Sequence, residues 1–501
     1  MEFISKGGYA EVFYDIHNND IFRRMPCIDK NTRELDFTSF NDLIFTKSFE
    51  YTNYTPVIYN EIISRKQVSF RMPHYGITLY KWVKQNTLET RQKYAPYIIL
   101  QIIIACLYFE KNAFFHSDLK PCNIMIETIY EDHRDEEIVE PIIKDIIVRI
   151  IDFNSSSIRI VSKNNPYVCW VNAIGTWNYA APEIILYQMP SENSISWTIG
   201  TIAAFIIDAY PFIDLITIEM DRSLVEQHVW IKTIEKWYVK YSIQPPLTRK
   251  EWYDDRWKRI ICGCIQWSSV QRYSLEYLYK IIYADFISNT KLDIPLNRII
   301  SPIDLSNIQT ICYVIESNRI PNTDRDKIVF LLYSICEKVS NMNLFPTAMA
   351  IFDRSLRMIN ESILQYINYL AAGAFLLSCF VHNINLLSSK IHVDLMLETF
   401  ICTHKSYIVI YMHHIGDILG WKLWEKPIHI LIAEKDEKIK IHPELFKHIR
   451  DAFLRPCDKY TQEELANYVL ENFKNYDGND KDIRDDNNTY NIRQKRVSSS
   501  I

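Results

Sequence analysis

The strongest constraint on this chain is the stretch FHSDLKPCNIMI, Phe115 to Ile126, followed about thirty residues later by the strand-like VRIIDFN, Val148 to Asn154. Taken singly, Asp118 and Asn123 would be turn residues or helix caps, because both side chains favour local backbone hydrogen bonds. Asp152 alone would be a strand terminus. Their joint spacing points elsewhere. A carboxylate can orient an attacking hydroxyl, a cation can sit beside a transferring phosphate, and an amide with a second carboxylate can supply oxygen ligands to Mg²⁺. Asp118, Lys120, and the pair Asn123 and Asp152 offer these groups in that order. The chain must therefore bring a loop and a strand end together around one site.

The rest of the sequence divides around that site. Up to about Leu79, short β-branched and aromatic runs alternate with Asn, Asp and Gly, as in Glu11 to Ile16, HNND, then Ile21 to Met25, which predicts hairpins. From Tyr80 onward apolar residues recur at helical spacing, for example over Arg91 to Glu110 and Trp197 to Ile207. Residues 288–307, rich in Asn, Asp and Pro, read as a connector. A second helical block is expected over 308–473, and the polar stretch 474–501 reads as a disordered tail.

Further on, GTWNYAAPE, Gly175 to Glu183, and an apolar helix containing Trp197 and Gly200 complete a set that resembles the eukaryotic-type protein kinases over residues 1–287. The resemblance implies an α+β, bilobal fold with a small β-rich N-lobe and a larger helical C-lobe. It implies ATP and Mg as cofactors, a protein substrate, and the serine/threonine class, since Lys120 follows Asp118 by two. Asp118 takes the catalytic-base position, Asn123 and Asp152 those of the metal ligands, and Thr176 that of the residue bonded to the catalytic Asp and Lys. Glu183 and Arg272 match a structural ion pair. Met72 would guard the back of the adenine pocket, Pro73, His74 and Tyr75 would form the hinge, and Met125 the floor.

Several positions depart from that pattern. The nucleotide loop reads SKGGYAEV, so of its three glycine positions only Gly7 survives, with Val12 following. The strand IFRRM puts Arg23 where the relatives have Lys, with Ile21 on the same face, and Asp42 stands where the helix Glu is expected. A longer cation facing a shorter acid keeps about the same total reach, so an Arg23 to Asp42 bridge is expected, with Glu34 as a second partner and Lys6 as a further cation. Ser117 replaces the Arg before the catalytic Asp, and Val171 occupies the position of the activating phospho-Thr, so loop phosphorylation should be dispensable. After Asp152 come Phe153 and Asn154. Asn replaces a Gly there and is among the few residues that tolerate positive φ.

The second block, through DRDKIVFLLYSICEKVSNMNLFPTAMAIFDRSL, LAAGAFLLSCFVHNI and YMHHIGDILGWKLWEKP, resembles a single all-α cyclin box. Periodicity alone would equally describe a generic helical bundle. In the resemblance, the Lys and Glu with which cyclins grip a kinase become Phe380 and Met412, both apolar, and an intramolecular contact with the helix bearing Asp42 is implied. With 56 Lys and Arg against 61 Asp and Glu, the charge of -5 does not favour nucleic acid as partner. The 11 cysteines lack zinc spacing, and no signal peptide or membrane-spanning run is read, which predicts an intracellular chain, cytoplasmic or nuclear, and a monomer. Two functions remain open: a serine/threonine kinase activated in cis by its own cyclin-like domain, or a pseudokinase scaffold whose nucleotide site is impaired by Arg23.

Overall fold

Alternating β-branched and aromatic residues before Leu79 fit a pleated, half-buried surface, and in the computed structural model they form a five-stranded antiparallel sheet. The structure describes residues 1–6, 10–26, 38–64, 67–130, 143–162, 165–170, 175–176, 178–187, 190–191, 193–209, 254–288, 298–308, 310–311, 315–316, 322–359, 361–382, 384, 390–436, 443–454 and 459–477. Strands β1 (Glu2–Lys6), β2 (Glu11–Asp15), β3 (Asp20–Pro26), β4 (Tyr59–Ile63) and β5 (Gln67–Pro73) lie in the order β1-β2-β3-β5-β4. The β2 to β3 turn closes through Asn19 at φ 52°, a conformation Asn tolerates. Val12 pairs with Arg23, Tyr14 with Ile21, and Ile21 with Met72, so these five side chains share one face of the sheet. Helix α1 (Thr38–Phe49) packs beside the sheet and buries Phe40, Leu43, Phe45 and Phe49.

The C-lobe is built around one long helix. Strand β6 (Ile77–Thr78) runs into α2 (Leu79–Gln85), whose first turn is capped by the Thr78 hydroxyl accepting from Lys81 N at 3.3 Å. Thr87 caps α3 (Leu88–Lys111) in the same way, from Thr90 N at 3.2 Å. Among the described residues α3 is the one helix long and apolar enough to cross a membrane. However, 83% of its apolar window is enclosed by the protein, so it serves as the core helix of the lobe. Strand β7 (Phe114–Phe115) leads into the loop of Asp118, and β8 (Ile124–Tyr130) pairs with β9 (Ile143–Ile150) in a sheet of order β6-β8-β9. Gly76, at φ 76°, is required where the hinge meets this sheet: a Cβ there would collide with the Ile126 carbonyl oxygen. Strands β10 (Ser157–Ser162) and β11 (Asn165–Trp170) precede α4 (Pro182–Tyr187) and α5 (Ser194–Asp208), and helices Asp255–Cys264 and Leu275–Ile282 close the lobe.

The connector is less loose than its composition suggests. Its described part docks on both lobes: Tyr54 Oη, between α1 and β4, donates to Arg298 O at 2.8 Å, Tyr279 Oη of the C-lobe donates to Ile300 O at 2.6 Å, and Ile299 and Leu305 are buried. Two buried tyrosine hydroxyls find their acceptors there, which explains why the backbone is held. The second block is helical, with its centre on Ile367–Val381, buried throughout from Leu370 to Val381. Arg325 joins Asp353 through two hydrogen bonds of 3.1 and 2.8 Å inside it. Its last helix, Gln462–Asp477, carries four residues expected in the tail; no Gly or Pro interrupts the sequence before Gly478. Gly7, Glu34 and Val171 lie outside the described residues.

Candidate active site

Between β7 and β8 the chain makes a tight loop, with Pro121 opening a single 3₁₀ turn over Pro121–Asn123. The turn places Asn123 N on Lys120 O at 2.8 Å, and Ile151 N bonds Asn123 O at 3.0 Å, which ties the loop to the end of β9. Asp118 is held from four directions. Its Oδ1 accepts from Thr176 N at 2.9 Å and from Thr176 Oγ1 at 2.5 Å, and its Oδ2 accepts from Lys120 Nζ at 2.6 Å and from Asn123 Nδ2 at 3.4 Å. Lys120 Nζ also donates to Thr176 Oγ1 at 2.9 Å. Asn123 Nδ2 donates to the Asp118 carbonyl at 2.9 Å, so its amide is oriented by the loop. His116 lies beneath, with Nε2 3.0 Å from Ile151 O and its ring 5.0 Å from Phe153; burial holds its imidazole below its usual pKa. Ser117, beside it, is buried.

The second half of the site hangs on Arg23. Its Nε lies 3.1 Å from Asp42 Oδ2, and its Nη2 donates to Asp152 Oδ1. The guanidinium therefore spans two carboxylates from different elements, α1 and the end of β9. The bridge to Asp42 matches the expectation from sequence, whereas the bond to Asp152 was not anticipated. Asp42 uses its other oxygen to accept from Phe153 N at 2.7 Å. Burial pushes the Asp42 carboxyl up to about 6 against the pull of Arg23. At Asp152 burial also opposes ionisation, but Arg23 draws its pKa below the usual carboxylate range. Phe153 inserts among Phe109, Phe114 and Phe49, at 5.6, 5.7 and 6.5 Å between ring centroids. Backbone strain sits at Asp152, with φ 71°, whereas Asn154 is not among the residues of positive φ. That corrects the sequence expectation, which gave the unusual backbone to Asn154; the sharp turn comes two residues earlier, where the chain leaves β9.

These groups face one cavity of about 610 Å³ between the lobes. Val12, Ile21, Arg23, Met72, Pro73, His74, Tyr75 and Met125 line it together with Asp118, Lys120, Asn123 and Asp152. Asp42 and Thr176 reach it through Arg23 and Asp118. Sequence reasoning missed Ile4, Tyr14, Lys81 and Cys122 in the lining. Tyr14 was legible, standing two residues after Val12 on the same face of β2, whereas Lys81 enters through the turn of α2 and had no signal. Glu183 and Arg272 lie away from the cavity in a bidentate pair of 2.6 and 2.9 Å. Phe380 stacks on Phe40 of α1 at 4.9 Å, and Met412 lies against Gly373 within the helical block.

Among the described residues no group of three or more His, Cys, Asp or Glu side chains converges on a metal position. The cavity instead offers hard oxygen donors: the Asn123 carbonyl oxygen, whose amide nitrogen is engaged with Asp118, and Asp152 Oδ2. That donor set fits Mg²⁺, which keeps several waters and binds through one or two protein ligands plus phosphate oxygens. A cleft of this size with apolar walls fits a nucleotide.

The family profile described as protein kinase domain matches residues 28–284, about half of the chain. Similar proteins include the homeodomain-interacting protein kinase 1 of Caenorhabditis elegans, 30% identical over 140 residues, 26% of this chain and 14% of that protein. Calcium-dependent protein kinase 4 of Plasmodium falciparum is 33% identical over 117 residues, 23% of this chain and 19% of its own length. The calcium/calmodulin-dependent protein kinase type 1 of Caenorhabditis briggsae is 26% identical over 231 residues, 45% of this chain and 57% of its own length. The matches thus span less than two thirds of each of these relatives.

Proposed function

We propose, from the premise that this chain belongs to the protein kinase family, that it is an ATP- and Mg-dependent serine/threonine kinase activated in cis by its C-terminal, cyclin-like helical block. The observation that carries the reading is the convergence of Asp118, Lys120, Asn123, Asp152 and Arg23 on one cavity large enough for a nucleotide. In this reading Asp118 accepts the proton of the attacking hydroxyl, its carboxylate aimed by Thr176 and Asn123. Lys120 Nζ offers positive charge beside it for the phosphoryl group in transfer. Asn123 and Asp152 would hold magnesium, which when bound would neutralise charge on the phosphates. Arg23 supplies the cation that a Lys gives elsewhere in the family, kept in register by Asp42. Ser117 stands where the relatives carry the Arg that binds an activation-loop phosphate, so the chain lacks that Arg contact.

The cis arrangement is supported by contacts across the two blocks. Phe380 stacks on Phe40, and Trp424 N donates to Ser48 Oγ of the same helix at 3.1 Å. The Trp424 indole N–H donates to Asn112 O at 3.0 Å, at the end of α3. One residue of the second block thus bonds both lobes, and α1 carries Asp42, so the block is positioned to set the Arg23 bridge. An apolar residue, Phe380, in place of one half of a polar grip lowers the desolvation cost of such a contact, and covalent linkage supplies a high effective concentration.

A scaffold that holds partners without transferring phosphate is the competing reading, favoured by Arg23 at the phosphate clamp. Transfer of radiolabelled phosphate from ATP to generic substrates by the full chain and by D118N separates the two, and phosphoamino-acid analysis tests the Ser/Thr class. Incorporation on Ser or Thr that D118N abolishes supports the kinase; an absence of any Asp118-dependent incorporation leaves the scaffold.

A further inference from the structure

Asn154 replaces a glycine, yet the backbone does not explain it: the positive φ is at Asp152. What remains is its side chain. Asn154 is 3% exposed, lines the cavity, and donates Nδ2 to Asp152 Oδ1 at 2.9 Å. Its own Oδ1 is buried with no hydrogen-bond partner, so the hydrogen bond that orients this amide is the one to Asp152. Arg23 donates to that same Asp152 oxygen.

Arginine at this place carries a hazard that lysine does not. A guanidinium prefers to meet a carboxylate with two parallel N–H donors, and such a fork on Asp152 would cover both oxygens of a metal ligand. Here Arg23 is divided, its Nε beside Asp42 and its Nη2 on Asp152. Asp152 Oδ2 has no protein hydrogen bond among the described residues. We propose that Asn154 is a positioning residue which, by bonding Asp152 Oδ1, fixes the carboxylate against rotation into the Arg23 fork and keeps Oδ2 open for the divalent cation. The inference rests on the reading of Asp152 as a metal ligand. It makes Asn154, with Asp42, part of a set of adjustments that lets an arginine occupy this strand.

The test is a double-mutant cycle in the full chain, read as Mn²⁺ affinity by electron paramagnetic resonance in the presence of a non-hydrolysable ATP analogue, with thermal melting as a check on folding. In the wild-type background N154G and N154A should each weaken Mn²⁺ about 10-fold, as loss of a partner to a metal ligand does. In the R23K background, where no fork threatens Asp152, N154G should change the affinity less than about 2-fold. Equal weakening in both backgrounds, or wild-type affinity in both single variants, overturns the role given to Asn154. If R23K itself binds no Mn²⁺, the single variants decide. Should the wild-type chain bind no Mn²⁺ with nucleotide, Asp152 is no metal ligand and the kinase reading falls with this one.

Discussion

The catalytic loop and the corner between β3 and α1 reach the same cavity by different routes. In the loop, Ser117 apart, the residue types match the family pattern, and Asp118, Lys120, Asn123 and Thr176 lock into one hydrogen-bonded cluster. At the corner both expected residues are replaced, yet a buried cation still joins the helix to the end of β9. Geometry thus tolerates exchange of identities where the requirement is a charge at a given reach. It tolerates little where, as proposed for Asp118, one small group acts on a proton.

The comparison breaks first at the loop. With Asp118 as the proposed base, D118N should reduce phosphate transfer about 10²–10⁴-fold, the range for removal of a positioned base. At the corner the expected change is smaller and repairable: with Asp152 in its proposed role as a metal ligand, R23K should cost about 10–100-fold, the range for loss of such a ligand's partner, and D42E added to it should recover most of the loss by restoring the combined reach. A double variant no better than R23K alone would show that the corner is not a matter of length. Acid titration sharpens the same contrast. The Asp42 carboxyl, raised by burial to about 6, loses its charge as pH falls through 6, so kcat/KM should decline there, and the decline should be absent from the residual activity of D42N. The sign for stability is opposite: between its ordinary value near 4 and 6 the folded chain holds a proton the unfolded chain has released, so this group disfavours the fold as pH rises through that window. The mildest effect is expected at the block contact, where W424F keeps the ring against Phe45 but loses the bond to Asn112 O, about 1 kcal/mol by urea titration.

Much of the site was legible because its parts are close in sequence. Asp118, Lys120 and Asn123 stand within one loop, and a strand reading VRII fixed where Asp152 emerges. The Arg23 to Asp42 bridge was legible through complementary lengths. The bond from Arg23 to Asp152 was not, since it depends on how far the lobes close, and no local pattern encodes that. Nor could composition reveal that the connector docks, because one of the two tyrosine hydroxyls that hold it, that of Tyr54, lies far away in sequence. The positive φ was assigned two residues late for a similar reason: tolerance of a conformation was visible at Asn154, but the tertiary demand fell on Asp152.

Trp424 touches both lobes from within the same polypeptide, and that has a kinetic meaning. If the helical block is the activator, as proposed, turnover per molecule would be indifferent to dilution, because activator and kinase domain share one polypeptide. A cell could not throttle such a catalyst by rationing one subunit; it would have to adjust synthesis or destruction of the entire polypeptide.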